Sequence, residues 1–221
     1  MPSRITTTSY GLLSLLAVRP WSAYEITAQM QRSLRFMCPR AESNVYAGLK
    51  TVVQHGMAKA STEPAGQTRT RQIYTITTAG RLELRQWLST PGAGPSVEFE
   101  GLLKTCFSEN GTREDLLGTL DAARIWAENA LAIGEVVSLQ AASAAPPYPE
   151  RLPQILLTNT FLMDYIDLVR RWAQWATEVV QGWDCWPPAT VDTTLLDAAA
   201  ALRLPLFTSD PTPRHDPRPR R

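Results

Sequence analysis

Between Glu42 and Gly80 the chain changes its hydrophobic period once, and this restricts the fold more than any other stretch. Val45, Leu49, Val52 and Val53 recur at helical spacing, which predicts a short helix with Ser43, Asn44, Tyr46 and Lys50 on its polar face. His55-Gly56 ends it, since glycine suits the left-handed position after a helix. Two extended runs follow, Met57 to Thr62 and Arg71 to Thr77, around the turn signal Pro64-Ala65-Gly66. The second contains Ile73-Tyr74-Thr75-Ile76, the β-branched and aromatic composition that strands prefer. Thr78 then reads as the N-cap of a helix that places Leu82, Leu84, Trp87 and Leu88 on its apolar positions.

A helix, a basic hairpin and a closing helix form the second half of a winged helix-turn-helix, and the first half precedes it. Ser9 to Val18 reads as a largely apolar helix, Arg19-Pro20-Trp21 breaks it, and Ser22 caps a helix running through Tyr24, Ile26, Met30 and Leu34. Residues 1–90 are thus expected to form one compact domain. The run Thr90-Pro91-Gly92-Ala93-Gly94-Pro95 is the natural boundary.

Beyond it, residues 96–204 read as a helical domain. Glu98 to Phe107 is a short helix, and Thr112 with Glu114 and Asp115 starts a long one reaching about Ala144. Leu116, Leu120, Ala123, Ala127, Ala130, Gly134 and Val137 make a seam of mostly small side chains, which lets another helix approach closely. Leu152 to Trp183 predicts the longest helix, about 48 Å. One stripe on it holds Leu152, Ile155, Asn159, Leu162, Ile166, Val169, Ala173, Ala176 and Val180; a second holds Phe161, Tyr165, Leu168, Trp172 and Trp175. Two stripes exceed what a two-helix hairpin covers, so one is expected to pack on the chain's own helix and the other on another copy, as a homodimer. Asn159 in the first stripe either sets register, as buried asparagines do in coiled coils, or is exposed or satisfied locally. Asp192 opens a final alanine-rich helix, and the proline- and arginine-rich residues 205–221 are expected to be disordered. The fold class is therefore mainly α with a small β-hairpin wing: an N-terminal winged helix-turn-helix and a C-terminal long-helix dimerisation domain.

The segments GLLSLLAVRPWSAYEI, SNVYAGLKTVVQHGM and TRTRQIYTITTAGRLELRQWL, in this order, resemble the PadR family of bacterial transcriptional regulators. The resemblance covers roughly Thr8 to Leu88. It implies a winged-helix protein with a helical C-terminal dimerisation region, repression as the default behaviour, and response to small aromatic or drug-like molecules. By analogy of position, Ser43, Asn44, Tyr46 and Lys50 face the major groove, Arg40 holds a phosphate, and Gln67, Arg69 and Arg71 in the wing meet phosphates or the minor groove. Tyr46 has a competing role packed at the helix base, and Arg71 a competing partner in Glu42 or Glu63. The chain departs from the family pattern at Ala47-Gly48, where proline and alanine are usual, and at Thr51, where a second basic residue is common. A glycine inside a helix costs about 1 kcal/mol relative to alanine, which predicts a less rigid recognition helix. Thr51 weakens the contact expected from its turn.

Charge points the same way. The net charge of +1 hides a segregation: residues 1–90 carry +7, residues 91–204 carry −8 and residues 205–221 carry +2. Only the front half suits a polyanion such as double-stranded DNA, because its lysines and arginines gain affinity by releasing counterions from the backbone. Asn44→Ala is expected to change base preference, whereas Arg69→Ala is expected to weaken binding on all sequences and flatten its salt dependence; equal losses for both in binding titrations refute these roles.

Other functions find less support. Three well-separated cysteines, Cys38, Cys106 and Cys185, suggest neither disulfide framework nor zinc site, and they fit a reducing cytoplasm. Gly11 to Val18 is needed as the first core helix rather than as a signal peptide, and no apolar stretch approaches the ~20 residues that span a membrane. No phosphate-binding glycine fingerprint, zinc-protease motif or nucleophile elbow is present, so neither catalytic residues nor a cofactor are expected. Asp164 and Asp167 share a helix with Arg170 and Arg171, which favours surface ion pairs over a metal site. Tyr165, Trp172 and Trp175, near Trp126 and Trp183, read either as a pocket for a planar effector or as dimer core. The rival function is a winged-helix module that binds protein rather than DNA.

Overall fold

The computed structural model describes residues 5–34, 36–38, 44–64, 70–141, 148–189 and 193–201. It divides into two compact units, Met1–Ser96 and Val97–Arg221.

In the first unit, Thr6 caps helix α1 (Thr7–Val18) by accepting a bond from the Ser9 N–H at 3.3 Å. Leu12, Leu13, Leu15 and Leu16 of this helix are all buried, as its nearly continuous apolar sequence requires. Pro20 stops it, but the chain does not simply turn. Trp21–Ser22 form a short strand, β1, whose Trp21 Nε1 donates to the Leu15 carbonyl at 2.9 Å. Helix α2 (Ala23–Gln29) follows and passes into a π-helical turn, Met30–Leu34, where the sequence predicted one continuous α-helix. Helix α3 (Val45–Gln54) buries Val45, Leu49 and Val52 against α1 and α2. Gly56, at φ 68°, turns the chain into strands β2 (Ala58–Pro64) and β3 (Thr70–Ile76).

Strand β3 is central in an antiparallel sheet of order β1-β3-β2, with Trp21 opposite Tyr74 and Ala58 opposite Ile76. The expected two-stranded hairpin is therefore a three-stranded sheet, completed by residues that read as a break. Helix α4 (Thr78–Leu88) closes the unit, and its cap is Thr77 rather than Thr78. The Thr77 hydroxyl oxygen accepts from the Gly80 N–H at 3.0 Å and its O–H donates to the Gly56 carbonyl at 2.7 Å, tying the helix start to the turn after α3.

The second unit contains α5 (Glu100–Cys106), α6 (Arg113–Ala141), α7 (Leu152–Gln181) and α8 (Thr193–Ala201). Thr112 and Asp115 cap α6 reciprocally: the Thr112 N–H donates to the carboxylate at 2.9 Å and the Asp115 N–H to the hydroxyl at 3.1 Å. Helices α6 and α7 pack antiparallel, because Leu116 and Leu120 meet Ala176 and Val180 at one end while Gly134 lies under Met163 further along. The seam of small residues is thus buried from Leu116 to Ala130; the side chain of Val137 lies outside the described residues. The first stripe of α7 is buried from Leu162 to Val180, with Asn159 half-buried near its start.

The second stripe divides. Phe161 and Leu168 are 63% and 53% exposed, and Trp175 is also exposed. Trp172 instead turns inward, its ring edge-on to Phe99 at 5.8 Å and packed on the Leu116–Leu120 cluster. Helix α7 ends at Gln181, two residues before the expected Trp183, and Trp186 beyond it donates its indole N–H to the Gly111 carbonyl at 2.8 Å. The capping role expected of Asp192 and the tail, residues 205–221, lie outside the described residues. Among the described residues no helix is long and apolar enough to cross a membrane.

Candidate nucleic-acid interface

The outer face of α3 follows from its amphipathic spacing. With Val45, Leu49 and Val52 fixed in the core, Tyr46 and Lys50 point away from it, and Tyr46 is 68% exposed. Its alternative role at the helix base is not the one adopted. Asn44 occupies the exposed N-cap position without a side-chain cap bond. Thr51 is buried and its hydroxyl donates to the Ala47 carbonyl at 2.9 Å, so this residue belongs to the inner face rather than the probing one. Gly48 also has a packing reason: a Cβ there would lie 2.5 Å from Leu12 Cδ1, and Leu12 is fully buried. The glycine expected to loosen this helix instead allows α1 and α3 to approach closely.

Of the wing residues, Arg71 is described and exposed on β3, opposite Glu63 on β2. Its guanidinium reaches the Glu63 carboxylate at 3.8 Å, with both side chains about half exposed. An exposed pair at this distance holds the arginine weakly, leaving it able to exchange its partner for an anion. Arg40, Ser43, Gln67 and Arg69 lie outside the described residues.

Three residues that the sequence reading passed over stand beside these. Tyr24 on α2, 80% exposed, lines an open groove of about 750 Å³ together with Tyr46, Arg71, Gln72 and Tyr74. The Tyr74 hydroxyl donates to Gln72 Oε1 at 3.0 Å, which orders the floor of the groove. Glu25 also lines it, yet its charge is already engaged. The Ser22 N–H and hydroxyl donate to Glu25 Oε2 at 2.8 and 2.7 Å, and Arg19 donates to Oε1 at 3.1 Å. These bonds, the Ser22 N–H foremost, lower the Glu25 pKa to about 2. The signal for Tyr24 was a large exposed aromatic in the first turn of an otherwise core-facing helix, legible only once β3 is known to lie beside it.

In the second unit, the residues expected to meet an effector lie in different environments. Tyr165 is half-buried, Trp175 exposed and Trp172 committed to the core of its own unit. A pocket of about 340 Å³ lies elsewhere, between α5 and the start of α6, lined by Leu103, Phe107 and Leu116. Asp167 is paired with Arg170 at 2.6 Å and Arg171 at 3.0 Å, and the bond from Arg170 holds its carboxyl below the usual range. Among the described residues no group of three or more His, Cys, Asp or Glu side chains could hold a metal ion.

Comparison with known proteins places this geometry. The model of the transcriptional regulator PadR-like family matches residues 12–86, from the core of α1 through the wing into α4. It is the first unit of the chain that carries this similarity to the PadR-like family. The matching model describes transcriptional regulators. The chain is 29% identical over 107 residues to the negative transcriptional regulator PadR of Bacillus subtilis; the match covers 48% of this chain and 59% of that protein's length. Its fold is similar to that of Bacillus subtilis PadR in complex with operator DNA, at a TM-score of 0.65 and 20% identity, covering 79% of this chain and 99% of the other. The same relative in complex with p-coumaric acid gives a TM-score of 0.58 at 20% identity, covering 80% and 99% of the two chains.

Proposed function

We propose that this protein is a homodimeric, DNA-binding transcriptional regulator, by default a repressor, that reads a palindromic or near-palindromic operator. The observation that carries the reading is the convergence, within the basic unit, of the exposed face of α3 with Arg71 of the wing on one open groove. Lys50 and Arg71 supply charge for phosphates, while Asn44 and Tyr46 supply hydrogen-bonding groups suited to base edges or the backbone. The related Bacillus subtilis protein, described as a negative regulator and found with operator DNA, supports the same direction.

Dimerisation follows from the uncovered apolar face of the second unit. Phe161, Leu168 and Trp175 on α7, with Ile125, Ile133 and Val136 on α6, are exposed in the single chain. Two copies related by a two-fold axis present two recognition helices, which matches a palindrome. A small aromatic acid is the proposed class of effector, supported by the p-coumaric acid complex of the relative. Tyr165 and Trp175 are the residues proposed to meet it, with Trp172 acting from the core behind them.

Selection of bound duplexes from a random pool, followed by titration across salt concentrations, tests the reading. Recovery of a palindrome whose affinity falls steeply with salt is expected. Absence of binding below ~100 mM salt, where phosphate contacts are strongest, overturns it in favour of the protein-interaction module. Quenching of tryptophan fluorescence by p-coumaric acid, lost in Trp175→Leu, tests the effector assignment separately.

A further inference from the structure

The groove bounded by α2, α3 and β3 contains more than the family match requires of a wing and a recognition helix. Tyr24 and Tyr46 are the two most exposed aromatic side chains of the first unit, they come from different helices, and both open onto the same groove as Arg71. Leaving two tyrosines in solvent gains nothing for the fold, since neither belongs to the core cluster of the unit. Their hydroxyls have a donor to offer, and the groove has an exchangeable cation: Arg71 keeps only a 3.8 Å contact with Glu63. The carboxylate that lines the groove, Glu25, is engaged by Ser22 and Arg19. Two uncharged O–H donors and one loosely held guanidinium, around an opening of about 750 Å³, suit a single tetrahedral anion carried on a larger body.

We propose that Tyr24, Tyr46 and Arg71 together hold one phosphodiester of the DNA backbone, with Tyr24 as the clamp's contribution from outside the recognition helix and wing. This rests on the DNA-binding reading above and specifies how the groove is used. Tyr46 is assigned to the backbone rather than to a base, and α2 becomes a positioning element that fixes how α3 enters the major groove. A planar ligand between the two rings is the competing occupant. The backbone phosphate is favoured because the groove is open to solvent and lies beside the exposed, sequence-reading face of α3, where bound DNA must pass.

The test uses the full chain and the duplex selected by the wild-type protein. Tyr24→Phe removes one oxygen and no charge. It is expected to weaken binding about tenfold, the size of a lost hydrogen bond to a charged group, on selected and scrambled duplexes alike and with an unchanged salt slope. Arg71→Ala is expected to weaken binding and reduce that slope by about one, because a charge is lost. Replacing single phosphates in the half-site by neutral methylphosphonates should reveal one position at which wild type and Tyr24→Phe bind equally. Circular dichroism and melting of the Phe variant check that the fold is retained. If Tyr24→Phe binds as tightly as wild type while Arg71→Ala weakens binding, the clamp is refuted and the DNA-binding reading stands. If no methylphosphonate position removes the difference, or if only base preference changes, the phosphate assignment is likewise refuted. Failure of the wild-type protein to bind any duplex refutes the reading beneath both.

Discussion

Glycines show how a single residue gains its meaning from what lies opposite. Gly80 sits where any Cβ would collide with the Met57 carbonyl oxygen, a backbone atom with no rotamer to change. Gly48 faces only the tip of the Leu12 side chain, which is buried but can repack. Both changes to alanine gain about 1 kcal/mol of helix propensity, and both then meet overpacking costs of about 1–3 kcal/mol. Gly80→Ala, which meets backbone, is therefore expected to destabilise the first unit by up to about 2 kcal/mol in urea titrations, whereas Gly48→Ala is expected to cost less and to be rescued by Leu12→Val. Equal costs, or no rescue, contradict this account. From the sequence alone Gly48 looked like a flaw in a helix; only the position of α1 reveals it as a point of close approach.

At the scale of elements, most of the architecture was legible because it repeats. The 3.6-residue stripes of α3, α6 and α7 announce themselves, and β2 and β3 follow from the turn signal between them and the β-branched composition of the second run. What escaped was short or non-local. Strand β1 is two residues long, too short for any period, and exists because Trp21 and Ser22 pair with β3 and Trp21 anchors to Leu15. The cap of α4 slipped by one residue because Thr77 and Thr78 are locally equivalent, and the choice falls to the one whose hydroxyl reaches Gly56. The cap of α2 was legible from Ser22 and Glu25, and it carries a pH dependence. Glu25 has its pKa lowered from 4.5 to about 2, so the stabilisation from its ionised form is fully present above pH 4.5 and is lost as pH falls towards 2. Glu25→Gln should therefore melt below wild type at pH 7, and the two should converge near pH 2. Ser22→Ala is expected to cost about 1 kcal/mol at neutral pH. A gap that persists undiminished at low pH would show that the carboxylate charge is not its source.

The whole molecule is divided by charge and by surface. Its basic front unit presents polar groups outward, while its acidic back unit presents a row of large apolar side chains. Phe161→Glu and Leu168→Glu each place a carboxylate in the proposed partner contact; an unpaired buried charge costs about 3 kcal/mol or more, which weakens pairing at least 100-fold. Light scattering should then record a monomer at micromolar concentration, with helicity by circular dichroism preserved because both positions are already exposed in the single chain. A wild-type monomer under the same conditions removes the dimer from the proposal, and persistent dimers of both variants move the contact elsewhere. The segregation of charge was visible in the sequence tally, and the surplus of apolar surface in the two stripes of α7. The inward turn of Trp172 was not, since it depends on an edge-on contact with Phe99, far earlier in the chain, which no local period announces.

The bond from Trp186 to Gly111 gives the helical hairpin a second closure, at the end opposite to the connection between α6 and α7. A slip of α7 by one turn along α6, about 5.4 Å, would break that bond and drag Met163 away from the space that Gly134 leaves for it. The row of side chains proposed to meet a second copy is thus set in a fixed order before any encounter. If two such surfaces meet as proposed, little freedom is left for either to lose.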